Sequence, residues 1–156
     1  MRNIFFPDEE LTQNDLYFMC TMIERVARKL KVRNKEVVNA LGYEELCKKI
    51  SLASVLHSEN PDKVVADWIE EYRLEEGKFN IVDVDKTLVE KVPSPLQIGK
   101  VYRRLIEYTL QEGEDYIQGM IRVYNSPICE IIDDYNSSAY YEPTPVIIKG
   151  YYNNGF

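Results

Sequence analysis

The chain of 156 residues has one histidine, one tryptophan and three cysteines, and each scarcity removes a class of function. With His57 alone and Cys20, Cys47 and Cys129 far apart, the close ligand pairs of a structural zinc site are missing. The cysteines are odd in number, and two lie on apolar helical faces, so buried free thiols are expected rather than disulfides. No apolar run approaches the ~18 residues of a membrane-spanning helix, and Met1 to Phe6 lacks the apolar segment of a secretory signal. The expected location is therefore the cytoplasm, without membrane contact. The sequence also lacks a serine elbow, a glycine-rich phosphate loop and a histidine-carboxylate metal cluster, so no catalytic residue, metal or cofactor is expected.

What is present is a globular composition, 45% hydrophobic and 29% charged. The net charge of -7 argues against a general nucleic-acid binder, because phosphate neutralisation supplies most of that affinity. One stretch runs the other way: Arg25, Arg28, Lys29, Lys31, Arg33 and Lys35 follow one another with no acid between them. They read as the solvated back of a buried stripe or, alternatively, as the grip of a nucleic-acid-binding regulator.

The apolar spacing is helical almost throughout. Thr12 with Asp15 forms a capping pattern, Leu11 and Leu16 occupy staple positions, and Leu16, Met19, Cys20, Ile23, Val26, Ala27 and Leu30 make one stripe. A short helix is expected over Lys35 to Leu41, capped by Asn34 and closed at Gly42 in the left-handed conformation, and another from Glu44 towards Ile50. Asn60, Pro61 and Asp62 open a helix that buries Val64, Val65, Trp68, Ile69 and Tyr72. Trp68, the only tryptophan, reads as its core residue.

Residues 12–76 thus form a small helical domain and 77–94 a linker, in which Phe79 to Val84 has a strand-like alternation. Residues 95–136 form a C-terminal helical module, starting after a Ser94 cap. Its second stripe runs from Tyr116 to Tyr135 across Pro127, where the helix either kinks or restarts behind Ser126. The expected fold is all-α: a compact multi-helix bundle with an aromatic, irregular C-terminal tail over 137–156.

That tail carries Tyr140, Tyr141, Tyr151, Tyr152 and Phe156 among prolines and glycines. It is too aromatic for a solvated end, so it either wraps back on its own domain or lies on a partner surface. Tyrosine is enriched where proteins meet, and the neighbouring acids Glu130, Asp133, Asp134 and Glu142 would suit a basic groove on such a partner. Asp133, Asp134, Tyr140, Tyr141, Tyr151, Tyr152 and Phe156 are the candidate partner-binding residues.

Two stretches resemble catalytic patterns. In "NIVDVDKTLVEK", Asp83, Asp85 and Thr87 follow apolar residues, as in the first motif of haloacid-dehalogenase phosphatases. That resemblance implies Asp83 as nucleophile and Asp85 as general acid, with Lys100, Asp133 and Asp134 completing a Mg2+ site. Lys86 stands where that family has glycine, and helical patterns surround the motif. The second pattern is His57 as a general base oriented by Asp67 or Glu70.

A broader resemblance covers Leu16 to about Tyr72. "FMCTMIERVARKL", "KEVVNAL" and "VLHSENPDKVVADWIEEY" resemble a small helical domain of uncharacterised function from gut Firmicutes and Bacteroides. The matching positions are Phe18, Ile23, Glu24, Lys35, Glu36, Val37, Leu56, His57, Ser58, Asp67, Ile69 and Glu70. Such domains are similar in gene setting to antitoxin-like partners of ADP-ribosyltransferase-type toxins. The resemblance implies a non-catalytic protein that binds and neutralises a toxin enzyme, with its C-terminal segment against the partner.

Overall fold

Thr12 begins the first helix as its sequence pattern requires. Its hydroxyl accepts from the Asn14 amide, and the Asp15 carboxylate accepts from the Thr12 amide at 2.8 Å. In the computed structural model, which describes residues 1–156, α1 then runs over Gln13–Leu30. Its whole apolar stripe is buried, and so are Thr21, Met22 and Glu24 beside it. More than a stripe is covered because α1 is central: helices pack against it from several sides.

The next helix, α2, spans Asn34–Ser51 and is two helices joined at Gly42, whose φ of 77° and ψ of 173° lie outside the right-handed helix. The expected stop at Gly42 is there, but the extended ψ lets the chain resume helix at once rather than turn away. Asn34 is not the cap. The Glu36 carboxylate accepts from the Arg33 amide at 2.6 Å, which places the cap one residue earlier and turns Asn34 into the core. The single turn α3 (Ala53–Leu56) leads to α4 (Pro61–Glu71), where the Asn60 side chain accepts from the Asp62 amide at 2.9 Å. Trp68 is buried there, 2% exposed, as a core residue.

No strand forms over Phe79 to Val84. Asn80 and Asp83 close a turn, Ile81 is buried, and Phe79 lies under the Arg33 guanidinium at 4.1 Å from ring centre. The alternation marks a loop that is half covered by the bundle. Ile81 and Val89 pin residues 77–94 to the core, so this stretch is an anchored loop. Beyond it, α5 (Pro95–Thr109) starts behind a reciprocal Ser94–Gln97 cap, and α6 (Tyr116–Tyr124) behind Asp115. At Pro127 the helix restarts: α7 covers Pro127–Ile132, while the Ser126 hydroxyl turns back to donate to the Val123 carbonyl.

The architecture is all-α, with eight α-helices and one contiguous core of 33 buried residues from Leu11 to Ile147. The most extensive helix pairing, α1 with α5, crosses between the two halves of the chain, which therefore share that core.

The C-terminal residues correct the expectation of an irregular tail. A 3-10 turn at Ala139–Tyr141 is followed by α8 (Thr144–Tyr152). Pro145 falls in the first helical turn, where a missing amide leaves nothing unpaired, so the proline that reads as a breaker starts the helix. Ile147 is buried, and Gly150 lets Ile128 and the Phe156 ring come within 3.2 Å of where a side chain would begin.

The α1–α5 seam depends on Gly99. A methyl there would overlap the Thr21 hydroxyl and lie 3.0 Å from the Thr21 amide nitrogen. Gly99→Ala is expected to cost about 2 kcal/mol in urea unfolding as overpacking. Thr21→Ala in the same chain should recover part of it, a coupling that a double-mutant cycle measures.

Candidate functional site

The polar groups with the most chemistry face inward. Glu24 on α1, Asn34 on α2 and Asp133 at the end of α7 meet in the core, exposed by 1%, 0% and 3%. The Asn34 amide nitrogen donates to Glu24 Oε1 and to Asp133 Oδ1, each at 3.0 Å. Arg28, one turn beyond Glu24, donates to Glu24 Oε2 at 2.7 Å and to the Pro93 carbonyl at 2.6 Å. The Tyr135 hydroxyl also donates to Glu24 Oε2, and the Tyr102 hydroxyl, from α5, to Asp133 Oδ1. Cys129 Sγ stands 3.4 Å from Asp133 Oδ2.

Charge decides how this cluster is protonated. Two carboxylates share one cation, and Arg28 is spent on Glu24. Burial first, then the neighbouring Glu24, push Asp133 up from its ordinary 3.8 to about 7. Burial likewise raises Tyr102 and Tyr135, and pushes the Cys20 thiol up to about 12. All three cysteines are free and buried, as the sequence led us to expect. These groups hold five segments together, and their protons are enclosed.

The placement of Asp133 corrects its assignment as a partner-contact residue: its carboxylate is taken up by Asn34 and Tyr102. Tyr140, also assigned to the partner surface, is 7% exposed and packs edge-on against Tyr135 at 5.5 Å. Tyr151 is half-buried, its hydroxyl accepting from Arg122 at 2.6 Å. Asp134 is exposed and its carboxylate accepts from the Asn136 amide. Tyr141, Tyr152 and Phe156 are outside, exposed by 71%, 64% and 60%.

The catalytic patterns come apart in space. Asp83 lines a cavity of about 410 Å3 that also touches Asp133 and Asp134, but Lys100 lies on the outer face of α5 in another groove. Asp85 accepts from the amide and hydroxyl of Thr87, which holds its carboxylate below the ordinary range. The apolar strand that precedes the phosphatase motif is a turn here. No three His, Cys, Asp or Glu side chains stand together as metal ligands do. His57 is exposed and meets the edge of Phe18 at 6.1 Å between ring centres, while Asp67 is paired with Lys63 instead.

The basic run is likewise dispersed. Arg28 enters the core network, Arg33 stacks on Phe79, Lys35 pairs with Glu130 at 3.2 Å and Lys31 with Glu76 at 3.9 Å. Arg25 and Lys29 face a hollow beside α4 that also holds Asp62 and Glu70.

Sequence reading missed Glu24 and Asn34 as a pair. The signal for Glu24 was available: it lies four residues after Cys20 and three before Ala27, inside the apolar arc of α1. Asn34 had no such mark, since asparagine before a helical run reads first as a cap. Comparison of the chain with protein-family models, curated proteins and solved structures finds no match.

The protonation of Asp133 has a stability signature. Its folded value is raised, so the folded chain keeps a proton that the unfolded chain has released. Stability from this group is full below about pH 4 and is lost as pH rises towards about 7, at no more than ~1.4 kcal/mol per unit. Asp133→Asn keeps an acceptor for Asn34 and Tyr102 without the titration. It is expected to be more stable than the unaltered chain at pH 8 and nearly equal at pH 4, read as the difference in urea midpoints.

Proposed function

We propose that this chain is a non-catalytic binding protein that docks on and neutralises a partner enzyme, in the manner of antitoxin-like partners of ADP-ribosyltransferase-type toxins. One observation carries the reading: Tyr141, Tyr152 and Phe156 remain exposed on an end of the chain that is otherwise helical and anchored. An aromatic side chain left in water on an ordered element has large contact area and little entropy left to lose on docking. The acids Glu130, Asp134 and Glu142 stand exposed in the same part of the chain and suit a basic rim on the partner.

The polar cluster supports the same reading from the other side, because the carboxylates of Glu24 and Asp133 and the Tyr102 hydroxyl are occupied within the core, where Asn34 Oδ1 is left without a partner. A cytoplasmic setting belongs to the proposal. Three buried free thiols fit a reducing compartment, and no helix is long and apolar enough to cross a membrane.

Deleting residues 137–156 would remove Ile147 and the Gly150 contact from the core, so side-chain truncation is the cleaner test. Tyr141→Ala, Tyr152→Ala and Phe156→Ala are expected to keep the helical circular-dichroism spectrum. Measured against a toxin encoded beside this chain, at least one should lose about 2 kcal/mol of binding, roughly thirtyfold, and with it protection of the host cell. Full protection by the triple variant rejects the assignment of this surface.

A further inference from the structure

The outward face of α5 carries Leu96, Lys100, Arg104 and Tyr108, each four residues after the last and all exposed. Neither Lys100 nor Arg104 makes an ion pair or a side-chain hydrogen bond. They line a groove of about 340 Å3 whose other walls are Tyr17, Leu96, Gln97, Val101, Tyr140 and Tyr141. No acid lines it, on a chain whose net charge is -7.

The groove is built rather than incidental. The Tyr17 hydroxyl donates to the Leu96 carbonyl at 3.1 Å, fixing one wall across the α1–α5 seam. Tyr140 and Tyr141 fix the other, their rings 4.7 Å apart, with Tyr140 anchored in the core. Tyr17 and Leu96 also line a larger hollow of about 640 Å3, whose walls include Phe18, Met22, Leu56 and Val64 together with the acids Asp15 and Glu59. Two cations therefore stand on one side of the Tyr17–Leu96 pair, and a hollow with apolar side chains in its walls stands on the other.

The spacing selects a backbone form. Lys100 and Arg104 are one turn apart, about 6 Å along the helix axis. In an extended chain, side chains on the same face recur at about 6.7 Å. Acidic side chains at alternate positions of an extended segment therefore meet these two cations in register. Leu96 lies a further ~6 Å along, where the next same-face side chain would enter the hollow.

We propose that this groove binds an extended acidic segment of a partner protein, with carboxylates at alternate positions on Lys100 and Arg104 and an apolar side chain in the hollow beyond Leu96. The inference rests on the reading of this chain as a partner-binding protein and names the partner's chemistry. It places the recognition on α5 and Tyr141, away from Tyr152 and Phe156. The groove at Lys100 and Arg104 has no acid in its walls, whereas Asp15 and Glu59 border the hollow and Glu142 the adjoining cavity, so the partner's carboxylates belong at the two cations and its uncharged side chain in the hollow.

The probe is a fluorescein-labelled, end-capped peptide with the core Leu-Thr-Glu-Thr-Glu, read by polarisation, with amide shifts recorded on isotope-labelled protein. Binding should weaken with added salt, shift the amides around Lys100, Arg104 and Tyr141, and fall at least tenfold in Lys100→Glu/Arg104→Glu. The milder Lys100→Ala/Arg104→Ala chain, whose side chains have no partners to lose, should show the same direction with an unchanged circular-dichroism spectrum. Equal binding by either double variant overturns the proposal. So does equal binding of a peptide with its two glutamates adjacent, or displacement by inorganic phosphate at the peptide's own concentration. If the probe fails while Tyr152→Ala and Phe156→Ala still abolish neutralisation, the groove falls and the binding function stands. If the probe binds as described while those variants protect fully, the groove stands and the C-terminal contact falls.

Discussion

The amide of Asn34, clasped between the carboxylates of Glu24 and Asp133, is the constraint on which the helices depend. An unpaired buried carboxylate costs several kcal/mol, so Glu24 and Asp133 each need donors in the folded chain. Asn34 has two N–H donors on one nitrogen and spends one on each acid. Tyr102 and Tyr135 supply hydroxyls, and Arg28 supplies the only charge of opposite sign. The result locks α1, α2, α5, α7 and the turn after α7 into one arrangement. Arg28 extends it to the Pro93 carbonyl, and so to the entry of α5.

From that arrangement the outer surface follows. With α1 held centrally and α5 laid along it over Gly99, the far side of α5 has no helix left to cover it. Leu96, Lys100, Arg104 and Tyr108 are outside because Ile98, Tyr102, Leu105 and Ile106 are inside. Likewise α8 can bury only Ile147 and Gly150 against α7 and α5. Tyr152 on its other side stays in water, Tyr151 is half-covered beside Arg122, and Phe156 beyond it rests one ring edge on Gly150 with the rest exposed. Glu24, Asp133, Tyr102 and Tyr135 thus turn inward, while Leu96, Arg104 and Tyr141 remain outward.

Much of this was legible along the chain. The caps at Thr12, Asn60 and Ser94, the stripe of α1 and the burial of Trp68 follow from local rules, because each involves residues within a few turns of one another, and the cysteines stay free because they are far apart. The fate of Pro127 was legible as a choice between two outcomes. Other features misled in instructive ways. Phe79 to Val84 is apolar because Ile81 is buried and Phe79, Val82 and Val84 pack in part against the bundle, in a loop with no neighbouring strand to pair with. Pro145 reads as a breaker, yet it falls in the first turn of α8, where proline is harmless. Asp133 beside Asp134 reads as a surface acid pair, though one turns in and the other out.

The amino-acid order by itself determined that this chain is helical, where most helices begin, and which apolar faces seek cover, since spacing and capping act over a few residues. Only the tertiary structure decided that Asn34 is a clasp instead of a cap, that the last twenty residues are docked, and that Lys100 and Arg104 share a groove with Tyr17 and Tyr141. Those pairings join residues separated by tens of positions. Their energy comes from burial and charge neutralisation across helices, which no local pattern records.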